Sequence, residues 1–345
     1  MSNDHSALLS QQTLWADALR SIFAQVNPVD SALEPDGLAE PAQAPLDRGR
    51  FLDRSYSNQA GRRAYKLYVP SGYHDGQALP LLVMLHGCSQ SPDDFAAGTR
   101  MNALAEEHTC LVAYPAQPSS AHFSKCWNWF SPDDQQRGEG EPSLIAGITR
   151  EVMHDYSVDP HRVYVAGLSA GAAAAVIMGA TYPDLYAAIG VHSGLAYEAA
   201  SGSHSALTVM QHGGAAPLHL SGGGVPNEGE SRPIIPTIVF HGDHDATVHP
   251  RNGDQVIAQS RGATNLQSKA ERGQVPGGHA YSRTLHTDAS GRPMLEQWVI
   301  HGSGHAWSGG SAMGSYTDPR GPDAAREMLR FFLEHPQLPL PRADA

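Results

Sequence analysis

Three residue types that together can cleave an ester occur in the order serine, aspartate, histidine, each where the chain is locally unusual. Ser169 stands between glycines in "GLSAG", Asp243 and Asp245 stand in "FHGDHDATV", and His305 stands in "GSGHAWSGG". A serine hydroxyl attacks a carbonyl well only when a base takes its proton. Imidazole is such a base near neutrality, and a carboxylate fixes its tautomer. With 19 histidines and 35 acidic residues in a chain of 345, residue type alone selects nothing, so position must.

The stretch "HRVYVAGLSAGAAAAVIMG", residues 161–179, supplies a position for the serine. "RVYVAG" is apolar and β-branched enough for a buried parallel strand, and the Ala-rich run after Ser169 predicts a helix over 170–181. A sharp strand-to-helix turn then falls on Ser169. Gly167 and Gly171 stand where side chains would collide, and the hydroxyl is left at a helix N-terminus. Two later strand-like runs, "PTIVFHG" and "LEQWVIHG", end in the segments that carry the aspartates and His305. His301 lies within its strand and His241 precedes its own turn, whereas the glycines around His305 let its ring swing toward Ser169.

Either aspartate could orient the imidazole from its turn. "HGDHDATV" matches His-Gly-x-x-Asp-x-x-Val, an α/β-hydrolase pattern whose later aspartate is the triad member, so Asp245 takes the role and Asp243 is expected to cap or brace the turn. The order Ser, Asp, His is also that of α/β-hydrolases. A negative charge developing on the ester oxygen needs preorganised donors. The backbone N–H of Ala170, next after the serine, is one. The second is assigned to Cys88, after the His86-Gly87 turn that ends "LLVMLHG".

From about residue 60 the chain alternates between strands and helices. "RRAYKLYVP", "LPLLVMLHG", "CLVAYP", "RVYVAG", "YAAIGVHSG", "PTIVFHG" and "LEQWVIHG" read as strands, with helices near 93–108, 143–156, 170–181, 252–261 and 323–334. This predicts an α/β-hydrolase fold, a mostly parallel sheet with helices on both faces, whose site lies at the carboxyl ends of the strands. Residues 60–337 form the expected catalytic domain and 338–345 a tail. Residues 1–59 read as a helical extension and linker, with Leu8, Trp15, Leu19, Ile22 and Val26 on one helix face. That face either docks on its own domain or binds a partner or a granule. Residues 200–232 are expected to make an irregular excursion over the site.

A hydrophobic content of 41% is that of a globular chain, and a net charge of −12 gives no electrostatic reason for a nucleic-acid partner. No run is long enough to span a bilayer. The start lacks a positively charged segment followed by an apolar core, so no secretory signal is read and a cytoplasmic location is expected. The histidines are scattered, with no HExxH or C-x-x-C pair, and neither a metal nor another cofactor is expected. Cys110 opens a buried strand and reads as a free core thiol.

"LHGCSQSPDDFAAGTRMNALAEEHTCLVAYPAQ", "CWNWFSPDDQQRGEGEPSLIAGITREV", "RVYVAGLSAGAAAA", "FHGDHDATVHPRNGDQ" and "GSGHAWSGG" together resemble esterases of the polyhydroxybutyrate (PHB) depolymerase family. The likeness is to the catalytic domain of type 1 extracellular short-chain-length depolymerases, over about residues 60–335. It implies Ser169 as nucleophile, Asp245 and His305 as its partners, and a polyester or oligomeric ester of a 3-hydroxy acid as substrate. Feruloyl and acetyl-xylan esterases share this fold and triad, so those substrates stand as the alternative. The chain departs from the extracellular enzymes in showing neither a signal nor a polymer-binding module. An enzyme acting on amorphous polyhydroxyalkanoate granules or soluble oligomers is therefore expected, with a short-chain ester hydrolase as a further alternative. The resemblance also implies a Cys88–Cys126 bridge pinning the oxyanion turn to the "WNWF" loop, which a reducing cytoplasm opposes. Trp127, Trp129 and Trp307 flank these segments and are assigned as substrate contacts, with core packing as the alternative for each.

Overall fold

The computed structural model describes residues 49–214 and 234–337. The helix face of Leu8 to Val26, the linker, the tail and most of the expected excursion lie outside the described residues.

Ten strands form one sheet in the order β1-β2-β4-β3-β5-β6-β7-β10-β9-β8. The central strands β4 (Leu111–Pro115), β3 (Leu79–Leu85), β5 (Val158–Leu168), β6 (Ala188–His192), β7 (Thr237–Gly242) and β10 (Pro293–Ile300) run parallel to one another. All seven residues of β3, "LPLLVML", are buried, as a strand covered on both faces requires. Outside this block the pairing is antiparallel: β1 (Arg50–Asn58) and β2 (Gly61–Val69) on one side, β9 (Ala280–Thr287) and β8 (Gln267–Gln274) on the other. Since β1 pairs with β2 along its whole length, residues 50–58 belong to the sheet and not to an N-terminal linker.

Three helices cover one face: α1 (Pro92–Thr99), α2 (Met101–His108) and α7 (Ala324–Glu334). In α7, Met328, Leu329, Phe331 and Phe332 are buried, and Asp323 caps its first turn by accepting from Arg326 N at 3.0 Å. Phe332 stacks on Tyr164 of β5 with centroids 5.0 Å apart, so truncation to alanine should cost about 3–5 kcal/mol. The helix expected over 93–108 is two, broken at Arg100 (φ 56°), whose guanidinium donates to Gly309 O at 2.8 Å. The other face carries α3 (Gly140–Asp155), α4 (Ala170–Thr181) and α6 (Arg251–Arg261). Helix α4 is almost entirely buried, and its alanines let it lie close to β3, β5 and β6. Helix α5 (Ser203–His212) occupies part of the stretch expected to be irregular. Two-residue strands β11 (Trp307–Ser308) and β12 (Thr317–Asp318) pair beyond the sheet. Among the described residues no helix is long and apolar enough to cross a membrane.

Candidate active site

Because β3, β5, β6, β7 and β10 are parallel, their carboxyl ends share one edge, with neighbours about 4.8 Å apart. That edge collects the segments singled out in the sequence. Ser169 sits between β5 and α4 with φ 57° and ψ −120°, a conformation costing a non-glycine residue about 1–3 kcal/mol. The surroundings hold it there: Ser169 N donates to His192 O at 2.9 Å, and Ala173 N donates to Ser169 O at 3.0 Å. The flanking glycines permit the close approach. A Cβ on Gly171 would lie 2.0 Å from Leu85 O and 2.5 Å from His86 O, and one on Gly167 would lie 2.4 Å from the Gly171 carbonyl. The first turn of α4 thus abuts the end of β3, which brings the Ala170 segment against the His86-Gly87-Cys88 turn.

That turn is tied down at several points. His86 is buried and keeps Nδ1–H on Gly87 O at 2.8 Å, while its Nε2 accepts from Gln117 N at 3.1 Å. Burial pushes its pKa down to about 4, which agrees with a neutral ring using one nitrogen as donor and the other as acceptor. Cys88 is bridged to Cys126, with Cα atoms 4.2 Å apart. Ser89 N donates to Ser124 O at 2.6 Å, adding a second link between the same two loops. Cys110 is a buried free thiol whose pKa burial pushes up to about 12.

At the ends of β7 and β10, His305 Nδ1 donates to Asp245 Oδ2 at 2.7 Å, both side chains being buried. The other carboxylate oxygen of Asp245 accepts from Thr247 N at 2.9 Å and Val248 N at 2.8 Å. His241 Nε2 lies 3.4 Å from Oδ2. Burial alone would raise this carboxyl, but the charge of His305 and the hydrogen bonds of both histidines hold it well below the carboxylate range. The arrangement keeps an anion on one ring nitrogen of His305, which favours proton uptake at the other.

Asp243 has different partners. Its Oδ2 accepts from His301 Nδ1 at 2.8 Å, its Oδ1 accepts from Gly302 N at 2.7 Å, and His301 Nε2 meets Ser282 Oγ at 2.9 Å. The residue types are again serine, histidine and aspartate, but Ser282 lies within β9 opposite Val299 of β10 and not on an elbow. This chain clamps β9 to the base of the loop that carries His305.

A residue not singled out in the sequence connects the serine and histidine segments. His192, at the end of β6, receives Ser308 N on Nε2 at 3.0 Å, and its carbonyl receives Ser169 N. Its ring stacks on Trp307 at 5.1 Å and Phe240 at 5.8 Å, and burial pushes its pKa down to about 3. The one signal available was its place at a strand end in "GVHSG".

Of the three tryptophans expected to touch substrate, Trp127 and Trp307 pack into the core instead. Trp127 is 0% exposed and donates Nε1 to His86 O at 3.0 Å, bracing the His86-Gly87-Cys88 turn from behind. Trp307 is 1% exposed, wedged between His192 and Phe95. Trp129 is 6% exposed and sits edge-on to Phe130. Among the described residues no group of three His, Cys, Asp or Glu side chains could hold a metal ion.

Comparison with known proteins bears on the fold and the family. Residues 63–269 match the model of the esterase PHB depolymerase family. Poly(3-hydroxyalkanoate) depolymerase C of Paucimonas lemoignei is 36% identical over 242 residues, 69% of this chain and 57% of that protein, so the chain spans little more than half of that relative. Feruloyl esterase B of Neurospora crassa is 28% identical over 259 residues, 72% of this chain and 85% of that protein. Among solved structures, the acetyl xylan esterase from Aspergillus awamori superposes with a TM-score of 0.60 at 20% identity, covering 79% of this chain and 94% of that one. At that identity the likeness speaks for the fold, which is of the α/β-hydrolase type. The family match runs from β2 to β8 and takes in the Ser169 elbow, the His86 turn and the Asp245 turn, and by it this chain belongs to the esterase PHB depolymerase family and is a carboxylic ester hydrolase.

Proposed function

We propose that the chain hydrolyses ester bonds of poly(3-hydroxybutyrate) or its 3-hydroxyacid oligomers through Ser169, His305 and Asp245. The observation that carries the reading is the buried 2.7 Å bond from His305 Nδ1 to Asp245, on the strand-end row that also carries the strained Ser169 elbow. Ser169 Oγ attacks the ester carbonyl while His305 Nε2 takes its proton. Asp245 holds the opposite N–H and offsets the imidazolium charge. The N–H groups of Ala170 and Cys88 receive the tetrahedral oxyanion. The alcohol leaves with the proton from His305, and a water molecule, deprotonated by the same ring, releases the acid from Ser169.

Substrate is chosen by likeness: the depolymerase relative is 36% identical and the feruloyl esterase 28%. A second reading, an aryl or sugar ester hydrolase, is favoured by length, since the chain covers 85% of the feruloyl esterase. Release of 3-hydroxybutyrate from amorphous polymer and from soluble oligomers, measured beside hydrolysis of feruloyl esters and acetylated xylan, ranks the two. Faster turnover of feruloyl or acetyl esters would replace the polyester reading. Ser169→Ala and His305→Ala should each abolish hydrolysis while the fold persists, because members of such a unit are not additive. Location is weighed by the Cys88–Cys126 bridge, which favours an oxidising compartment over the expected cytoplasm. Granule or cytosol fractions holding the protein in bridged form would restore the cytoplasmic, granule-associated reading.

A further inference from the structure

Behind the oxyanion turn lies a buried carboxylate that the proposed chemistry does not use. Glu141, in the first turn of α3, is 5% exposed. Its Oε2 accepts from Asn128 N at 2.8 Å, and its Oε1 accepts from Asn128 Nδ2 at 2.8 Å and from Gln117 Nε2. Arg63 Nη2 stands 3.6 Å from the same oxygen. Gln117 also donates Nε2 to Cys126 O at 2.9 Å and its backbone N–H to His86 Nε2 at 3.1 Å. Asn128 directly follows Trp127, whose indole N–H is on His86 O. From the carboxylate, the connections through Gln117 and Asn128 lead to His86 or to Cys126, the two anchors that bracket Cys88.

Such a charge is an expensive way to fill a core. A buried ionic group seldom outperforms apolar residues of the same volume in stability, and this one sits among donors from three separate segments. What those donors share is orientation of one turn. We propose that Glu141 is a positioning residue for the oxyanion hole, anchoring Gln117 and Asn128 so that the His86-Gly87-Cys88 turn keeps the Cys88 N–H aimed at the developing oxyanion. The inference rests on hydrolysis through Ser169 as proposed above.

The variant Glu141→Gln replaces one acceptor oxygen by an amino group that meets the donors of Gln117 or Asn128, so the turn slackens. Gln117→Met removes the link to Cys126 O yet keeps the backbone bond to His86, and decides the matter if the first variant does not fold. Assays use a soluble p-nitrophenyl ester near pH 8, above the value of about 7 to which burial and the Asp134 charge push the Glu141 carboxyl. Each variant should lose about 10- to 100-fold in kcat, part of the loss expected for a whole oxyanion donor. KM should stay within about twofold. Affinity for an alkylboronic acid, whose tetrahedral adduct on Ser169 presents an oxyanion, should fall by the same factor as kcat. A folded variant with kcat near that of the parent, a rise in KM alone, or boronate affinity unchanged while kcat falls would overturn the positioning role. Ser169→Ala is measured in the same series: if it stays active the underlying mechanism fails, and if it is inert while the Glu141 and Gln117 variants are fully active only this inference fails.

Discussion

Replacing Gly171 by alanine tests whether the serine elbow and the oxyanion turn act as one assembly. The added Cβ would fall 2.0 Å from Leu85 O and 2.5 Å from His86 O, both backbone atoms that no rotamer change can move. To reach an ordinary carbon–oxygen contact of about 3.3 Å, the start of α4 and the end of β3 must part by about 1.3 Å. Those segments carry the Ala170 and Cys88 amides, and a displacement of this size at a reacting centre costs about 10²-fold. Overpacking should also cost about 1–3 kcal/mol of stability, offset by roughly 1 kcal/mol because alanine is the better helix former. Gly179→Ala is the matched control: it lies in the same helix, and its added Cβ meets the Ile189 side chain at 2.9 Å and no atom of the His86 turn. The assay is kcat and KM on a soluble p-nitrophenyl ester, with melting temperatures measured alongside. Gly171→Ala should lose kcat by about two orders of magnitude while Gly179→Ala keeps it. Equal kcat in the two variants would refute the claim that the turns are spaced by this contact.

Asp245→Asn should lower activity by roughly 10⁴-fold through a wrong imidazole tautomer, and Asp243→Asn much less, since its partners are His301 and Gly302; the reverse ranking transfers the role. Acid stability should report on buried groups of opposite sign. The unfolded chain protonates His86 and His192 below their ordinary 6.5, whereas burial pushes them down to about 4 and about 3 in the fold, so stability falls as pH drops through that window. Glu141, held at about 7 against an ordinary 4.5, gains stability over the same descent, on the order of 3 kcal/mol. Glu141→Gln should therefore steepen the loss of urea-unfolding free energy between about pH 7 and 5, and parallel curves would contradict the shift. Deleting residues 1–45 should weaken binding and hydrolysis of amorphous polymer while leaving soluble-ester turnover nearly unchanged; joint loss of both activities and of melting temperature would mean that the segment is packing.

The central strands and the elbow were legible because a strand buried on both faces must be apolar throughout, and because the Ala-rich run predicts α4 at the bounds Ala170–Thr181 that it has. Strands β1, β8 and β9 were not. Most residues of "RFLDRSYSN" and "QSKAERGQ" face solvent, so no periodicity betrays them, and only pairing with β2 and β9 makes them strands. The break at Arg100 is set by contacts to Gly309 and Asp323, more than 200 residues away. Glu141 escaped for a related reason. An acidic residue in a first helical turn is ordinary from sequence, and only the folded chain brings Gln117, Asn128 and Arg63 around it. Trp127 and Trp307 misled because loops next to a site suggest exposure, whereas these loops fold back and bury them.

The outermost strands have a bearing on how the molecule behaves in crowds. β1 and β8 close the two rims of the sheet, and they carry Arg50, Asp53 and Arg54 on one and Lys269, Glu271 and Arg272 on the other. An open rim offers unpaired amides and carbonyls to any neighbouring strand, and charged side chains make such docking unfavourable. Molecules at high local concentration would meet rim to rim far more often than in dilute solution. The charged margins would oppose fusion of their sheets, so that local accumulation leaves separate particles and not a fibrous film.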